Sequence, residues 1–181
     1  MAVTAKQLEQ VRQAVIEREE AADPENLRRL IRVEINPVEH FTYEAHSPTE
    51  PQLKIIIDEP KARGGGEQGA SPTVYFLTGS ASCLLNQFLR VSIAEGLDLR
   101  FTQMQAKGEF QRKVGGGFVS ITQEIYAKGS ASQEELEKLT EKAEAFCYVH
   151  MTLNKVVTMT TILHLNGKEM VRKVTGPDKA S

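Results

Sequence analysis

The sequence has no tryptophan and only two cysteines among its 181 residues. Two cysteines are too few for the disulfide framework that holds small secreted domains together. They are either two unrelated thiols or one chemical pair. A surplus of positive charge is also missing. With 22 basic against 24 acidic residues the net charge is −2, without the basic excess of a nucleic-acid-binding domain. No apolar run is long enough to span a membrane, and the start, MAVTAKQLEQVRQAVIEREE, is charged and helix-patterned rather than built like a signal peptide. These absences lead to the expectation of a soluble cytoplasmic protein with no nucleic-acid and no membrane partner. His40, His46, His150 and His164 show no zinc spacing with the cysteines, and no nucleophile-elbow motif is present, so no metal and no cofactor are expected.

The length suffices for one domain with a real core. Residues 4–20 read as a helix, with Thr4 and Gln7 as a capping box and Leu8, Val11 and Val15 on one face. Residues 29–45 read as a strand interrupted near Pro37, and the apolar centre of QLKIIIDEP as a short strand buried on both faces. KARGGGEQGASP reads as a flexible loop. It has neither the Lys-Ser/Thr ending of a P-loop nor the spacing of a dinucleotide fingerprint. Residues 72–95 predict a long helix, because Val74, Leu77, Ala81, Leu84, Phe88 and Val91 step by three and four, with Gly96 closing it. Alternation over 97–107 and 118–127 predicts a hairpin, and Ser132 with Glu135 caps a second helix over 133–149. KVVTMTTILHL is a closing strand, and TGPDKAS reads as a frayed tail. The sum is an α+β fold.

Cys83 lies at the edge of the long helix's apolar seam, with Ser80 and Gln87 one turn to either side on a more polar face. Cys147 has the matching position on the second helix, beside His150. Cys83 is about three turns from the helix start, too far for the helix dipole to activate it, so a thiolate there needs a nearby cation or several donors. Lys61, Arg63, Arg29, Arg32, Arg90 and His150 are the candidates, and spacing does not choose among them.

DEP at 58–60, GGGEQGASP at 64–72, LTGSASC at 77–83 and the second cysteine in AEAFCYVHMTL, in this order, resemble the OsmC/Ohr family of osmotically inducible and organic-hydroperoxide-resistance proteins. The resemblance covers about residues 50–166. It implies antiparallel sheets packed around two central helices in an intertwined homodimer, with residues 26–175 as one OsmC-like domain and 1–25 as an N-terminal helical extension. It further implies that Cys83 attacks an organic hydroperoxide to give a sulfenic acid, that Cys147 condenses with it to a disulfide, and that a dithiol, in related proteins a lipoyl group, reduces the disulfide. Two departures stand out. Active members carry Glu one residue after the proline that opens the helix, where this chain has Thr73. The arginine that normally pairs with the thiolate has no counterpart between Arg32 and Arg63.

Three functions are therefore weighed. The first is a thiol peroxidase using Cys83 and Cys147, with Thr73, Ser80, Gln87, Arg63 and His150 as candidate substrate-binding or thiolate-supporting residues. The second is a non-catalytic OsmC-like dimer that binds a small apolar ligand in the same pocket. The third is an interaction module that uses its N-terminal helix as a docking arm.

Overall fold

The Leu8, Val11 and Val15 stripe forms helix α1 (Ala5–Glu20) in the computed structural model, which describes residues 5–20, 30–48 and 54–177. Thr4 of the expected capping box lies outside the described residues. The chain divides into two units, Met1–Glu20 with Leu77–Ser181, and Ala21–Phe76.

The Ala21–Phe76 unit holds a three-stranded antiparallel sheet in the order β1 (Glu34–Glu39), β2 (Thr42–His46), β3 (Lys54–Ile57). The expected interruption near Pro37 is a bulge in β1, an edge strand that tolerates the missing N–H. The expectation that β3 is buried on both faces fails. Ile55 is 40% exposed, because β3 is itself the last strand of this small sheet. Nor is the Gly-rich segment a slack loop. A 3-10 turn (Lys61–Arg63) leads into Gly64 at φ 86°, and the Asp58 carboxylate accepts the backbone N–H groups of Glu59, Gly66 and Gln68 at 2.7 to 3.2 Å. Those amides are committed to Asp58 and are not open to a phosphate, in keeping with the missing P-loop pattern.

Helix α2 (Pro72–Ala94) follows and ends before Gly96, which takes the left-handed φ of 69° that a helix-closing glycine supplies without strain. Strands β4 (Asp98–Phe110) and β5 (Phe118–Ser130) form the expected hairpin. Along β5 the residues Ile121, Gln123, Ile125 and Ala127 point inward, a period of two that buries one face. The capping box of Ser132 and Glu135 is present and starts α3 (Gln133–Phe146).

The expected single helix over 133–149 is broken. Cys147 ends α3 and begins α4 (Tyr148–Leu153) in an extended conformation, φ −84° and ψ 104°. The closing strand is β6 (Thr158–Leu165), and a strand the pattern did not reveal, β7 (Lys168–Thr175), pairs with it. The sheet order is β4-β5-β6-β7, and β5 and β6 run parallel. This corrects the wholly antiparallel expectation: α3 and α4 form a crossover connection, which returns the chain to the same end of the sheet before β6 begins.

Leu84, Phe88 and Val91 of α2 pack with Leu136, Leu139 and Ala143 of α3 and with Ile125, Leu163 and Val171 of the sheet. Burying each large apolar side chain contributes about 1.5–3 kcal/mol. Two helices on one face of the sheet thus form the core, and Cys147 belongs to it.

Candidate functional site

The two cysteines are 64 residues apart in sequence, yet Cys147 Sγ donates to Cys83 Sγ at 3.4 Å. Both thiols are free. Their surroundings differ. Cys83 is half-buried on α2, whereas Cys147 is fully buried at the α3–α4 break. Because Cys147 caps α4, its sulfur also accepts the backbone N–H of His150 at 3.4 Å. An unbroken helix would have used that amide for its own ladder. The break is what turns amides toward sulfur.

The pair is electrostatically asymmetric. The hydrogen bond from Cys147 is the largest influence that pulls the Cys83 thiol down, to about 6. Partial burial opposes it, and the backbone N–H groups of Val149 and Tyr148 and the positive charge of Arg18 assist. Cys147 is pushed up, first by its bond to Cys83 and then by burial. The ionised sulfur is therefore the accessible one, and the proton sits on the buried one.

In the sequence Arg18 is one charge among many on the N-terminal helix. It stands on the same stripe as Val11 and Val15, seven and three residues earlier, and that spacing was the available signal. Its Nη2 donates to the Phe146 carbonyl at 2.6 Å and its Nη1 reaches Gln87 Oε1 at 3.5 Å. The guanidinium carbon lies 4.7 Å from the Phe146 ring centre and 4.5 Å from that of Tyr148. Arg12 Nε donates to the Ile93 carbonyl at 3.2 Å, so α1 runs back along α2 in the opposite sense. Two arginines of one helix thus satisfy carbonyls at the C-terminal ends of two others. A groove of about 470 Å3 opens between α1 and α2, lined by Val11, Ala14 and Val15 with Gln87, Arg90 and Phe146.

The remaining sequence-derived candidates separate. Gln87 is buried beside Arg18. Ser80 is buried too, but its hydroxyl accepts from Gln123 of β5 at 3.0 Å instead of lining a wet face. The His150 ring points away from sulfur: its Nε2 is 3.1 Å from Thr175 Oγ1 and 3.8 Å from Glu144 Oε1. Burial lowers its pKa, against the attraction of Glu144. Lys173, a third exposed, stands 3.0 Å from the other Glu144 oxygen, so a carboxylate, an imidazole and an ammonium gather beside Cys147 with no local sequence pattern to mark them.

Within the Ala21–Phe76 unit, Thr73 is exposed and bonds with Ser71 Oγ at 3.1 Å. Arg63 pairs with Glu59 at 3.3 Å, Lys61 with Glu67 at 3.3 Å and Arg32 with Glu34 at 2.7 Å. Arg29 lies outside the described residues. Among the described residues no cluster of three or more His, Cys, Asp or Glu is arranged to hold a metal, and no helix is long and apolar enough to cross a membrane.

Residues 64–162 match the family model described as OsmC-like protein. Among solved structures the chain is similar to an OsmC-like protein from Mycoplasma pneumoniae, at 18% identity over 77% of this chain and 99% of that one, with a TM-score of 0.63. It is similar to an organic hydroperoxide resistance protein from Elizabethkingia anophelis, at 20% identity over 77% and 98% of the two chains, TM-score 0.60. A third likeness is to an organic hydroperoxide resistance protein OsmC, a predicted redox protein from Legionella pneumophila, at 18% identity over 76% and 96%, TM-score 0.54. At these identities the likeness establishes the fold. No curated protein matches the sequence. The family model spans more than half of the 181 residues, and the chain belongs to the OsmC-like family.

Proposed function

We propose that this protein is a thiol peroxidase that reduces organic hydroperoxides through Cys83 and Cys147. The observation that carries the reading is the sulfur pair itself: an accessible Cys83 held toward the thiolate, in contact with a buried, protonated Cys147. The thiolate is the nucleophilic form. It attacks the terminal peroxide oxygen, the O–O bond breaks, and the leaving alkoxide takes a proton from solvent to give the alcohol. Cys83 becomes a sulfenic acid. Cys147 sulfur then attacks Cys83 sulfur, and its proton leaves with the hydroxyl as water, giving the disulfide. Two thiols of a dithiol reductant, of the lipoyl class, return both cysteines to thiols. Cys83 is the sulfur such a reductant meets, since Cys147 is buried.

The apolar groove beside Gln87 suits the organic part of the peroxide. It equally favours the second reading, a small apolar ligand bound without turnover. The protein acts as a homodimer in this proposal. Supporting that, the Ala21–Phe76 unit exposes Leu30, Ile31 and Val33 just before the edge strand β1, and Ile35 and Val38 on it, a surface that a second copy would cover. Light scattering during size exclusion should give twice the monomer mass, and a monomer would overturn this part.

The deciding experiment adds one equivalent of cumene hydroperoxide to reduced protein, followed by intact mass and a non-reducing peptide map. Loss of two hydrogens within seconds, with a Cys83–Cys147 linked peptide, supports the peroxidase. Thiols that stay reduced for many minutes overturn it in favour of ligand binding.

A further inference from the structure

Arg18 reaches both sides of the sulfur pair. Phe146 and Tyr148, whose rings lie against its guanidinium, are the chain neighbours of Cys147, and Gln87 lies one turn beyond Cys83 on α2. Tyr148 is 67% exposed, so the cation, and not the core, is what its ring packs on. Among the described residues no ion pair joins Arg18 to a carboxylate, and its partners are a carbonyl, an amide oxygen and two aromatic rings. Arg32, Lys61 and Arg63 are each paired with a carboxylate, and Arg90 is exposed.

We propose that Arg18 is the positioning residue of the thiol pair: carried in by α1, it supplies the cation facing Cys83 and clamps the Phe146–Tyr148 segment that holds Cys147 against it. The N-terminal helix is then part of the redox site and not an appendage. The inference deepens the peroxidase reading, but its test does not depend on turnover. A guanidinium near a sulfur favours the anion, in line with the low Cys83 pKa. Linkage makes the effect mutual, so an anionic Cys83 holds α1 down by as much as Arg18 favours the anion. Joining the two sulfurs removes that charge and loosens α1.

The test follows iodoacetamide alkylation of Cys83 against pH in the full-length protein. Arg18→Met should raise the midpoint by about one unit, which at pH values below it is roughly a tenfold slower reaction. Arg18→Lys, which keeps the charge and loses the fork and the stacking, should recover most of the midpoint. An unchanged midpoint in Arg18→Met overturns the proposal. So does an Arg18→Lys profile that matches Arg18→Met, because packing alone would then explain the effect. A second readout is amide exchange across residues 5–20, expected to be faster in the disulfide form than in the reduced form. Equal exchange in both forms overturns the linkage. If the wild type consumes no hydroperoxide, the peroxidase reading fails while the alkylation midpoints still decide the role of Arg18.

Discussion

Cys147 gives its proton to a hydrogen bond with Cys83 at 3.4 Å, and the helix break at Cys147 is what makes this possible. On a continuous helix the sulfur would find no free backbone N–H, because each is given to a carbonyl of the helix's own ladder. At the break it accepts from His150, and the next amides, of Tyr148 and Val149, face Cys83. The two thiols are chemically alike in sequence and made unlike by where the backbone donors point.

The first prediction concerns that inequality. Cys83→Ser should abolish reaction with hydroperoxide. Cys147→Ser should keep the first step and block the second, so that dimedone traps the Cys83 sulfenic acid as an adduct, whereas without dimedone a second equivalent of peroxide takes it on to the sulfinic acid. Mass spectrometry of both variants checks this. Equal reactivity of the two variants would assign the nucleophile wrongly.

The second concerns pH. Cys83 has a depressed pKa, so its anion is present at neutral pH and is lost as pH falls through about 6. Alkylation of the wild type should rise with pH around that value and then level off. Cys147→Ala removes the largest cause of the depression, and the midpoint should move up toward the free thiol's value of roughly 8.5. Stopped-flow alkylation between pH 5 and about 9.5 resolves the two curves, and a midpoint that stays put would show that the backbone amides and Arg18 suffice.

The long helix and the hairpin were legible in the sequence because their cores are local patterns: Leu84, Phe88 and Val91 repeat at helical spacing, and Ile121 to Ala127 alternate. The break at Cys147 was not. No glycine or proline marks it, and cysteine is an uncommon N-cap, so only contacts with α2 reveal it. Strand β7 escaped because KEMVRKVT is an edge strand whose charged residues interrupt the alternation. Spacing offers Lys61, Arg63, Arg29, Arg32, Arg90 and His150 as cations for the thiols, whereas Arg18 arrives from a helix 65 residues before Cys83, a pairing fixed by tertiary packing alone.

A third prediction tests the loop around Asp58. Its carboxylate is held below the ordinary range, chiefly by the Gln68 N–H and despite burial, so it remains ionised where an ordinary aspartate protonates. Asp58→Ala leaves the Gly66 and Gln68 amides without their acceptor. Trypsin should then cut after Lys61 and Arg63 faster than in the wild type. Gly69→Ala should act in the same direction, because a Cβ there would collide with the Ile56 carbonyl oxygen. Unaltered cleavage in Asp58→Ala would mean that the glycine turns hold themselves.

The last prediction concerns the charges behind Cys147. Glu144 is buried, and Lys173 and His150 approach its two oxygens at 3.0 and 3.8 Å, yet neither oxygen has a well-aligned hydrogen bond. Removing one partner of a fully buried pair costs about 3–5 kcal/mol, whereas removing both is often nearly neutral. The Lys173 side chain is 33% exposed, so water already screens part of the pair. Lys173→Met should therefore cost about 2 kcal/mol in urea unfolding, less than the fully buried case. Adding Glu144→Gln should return much of that loss, since no unpaired charge is left inside. If the double variant is instead less stable than either single one, Glu144 is holding the α3–α4 joint through contacts other than charge. Its backbone carbonyl, which accepts the Cys147 N–H at 3.1 Å, survives the substitution and would then be insufficient to keep the break in place.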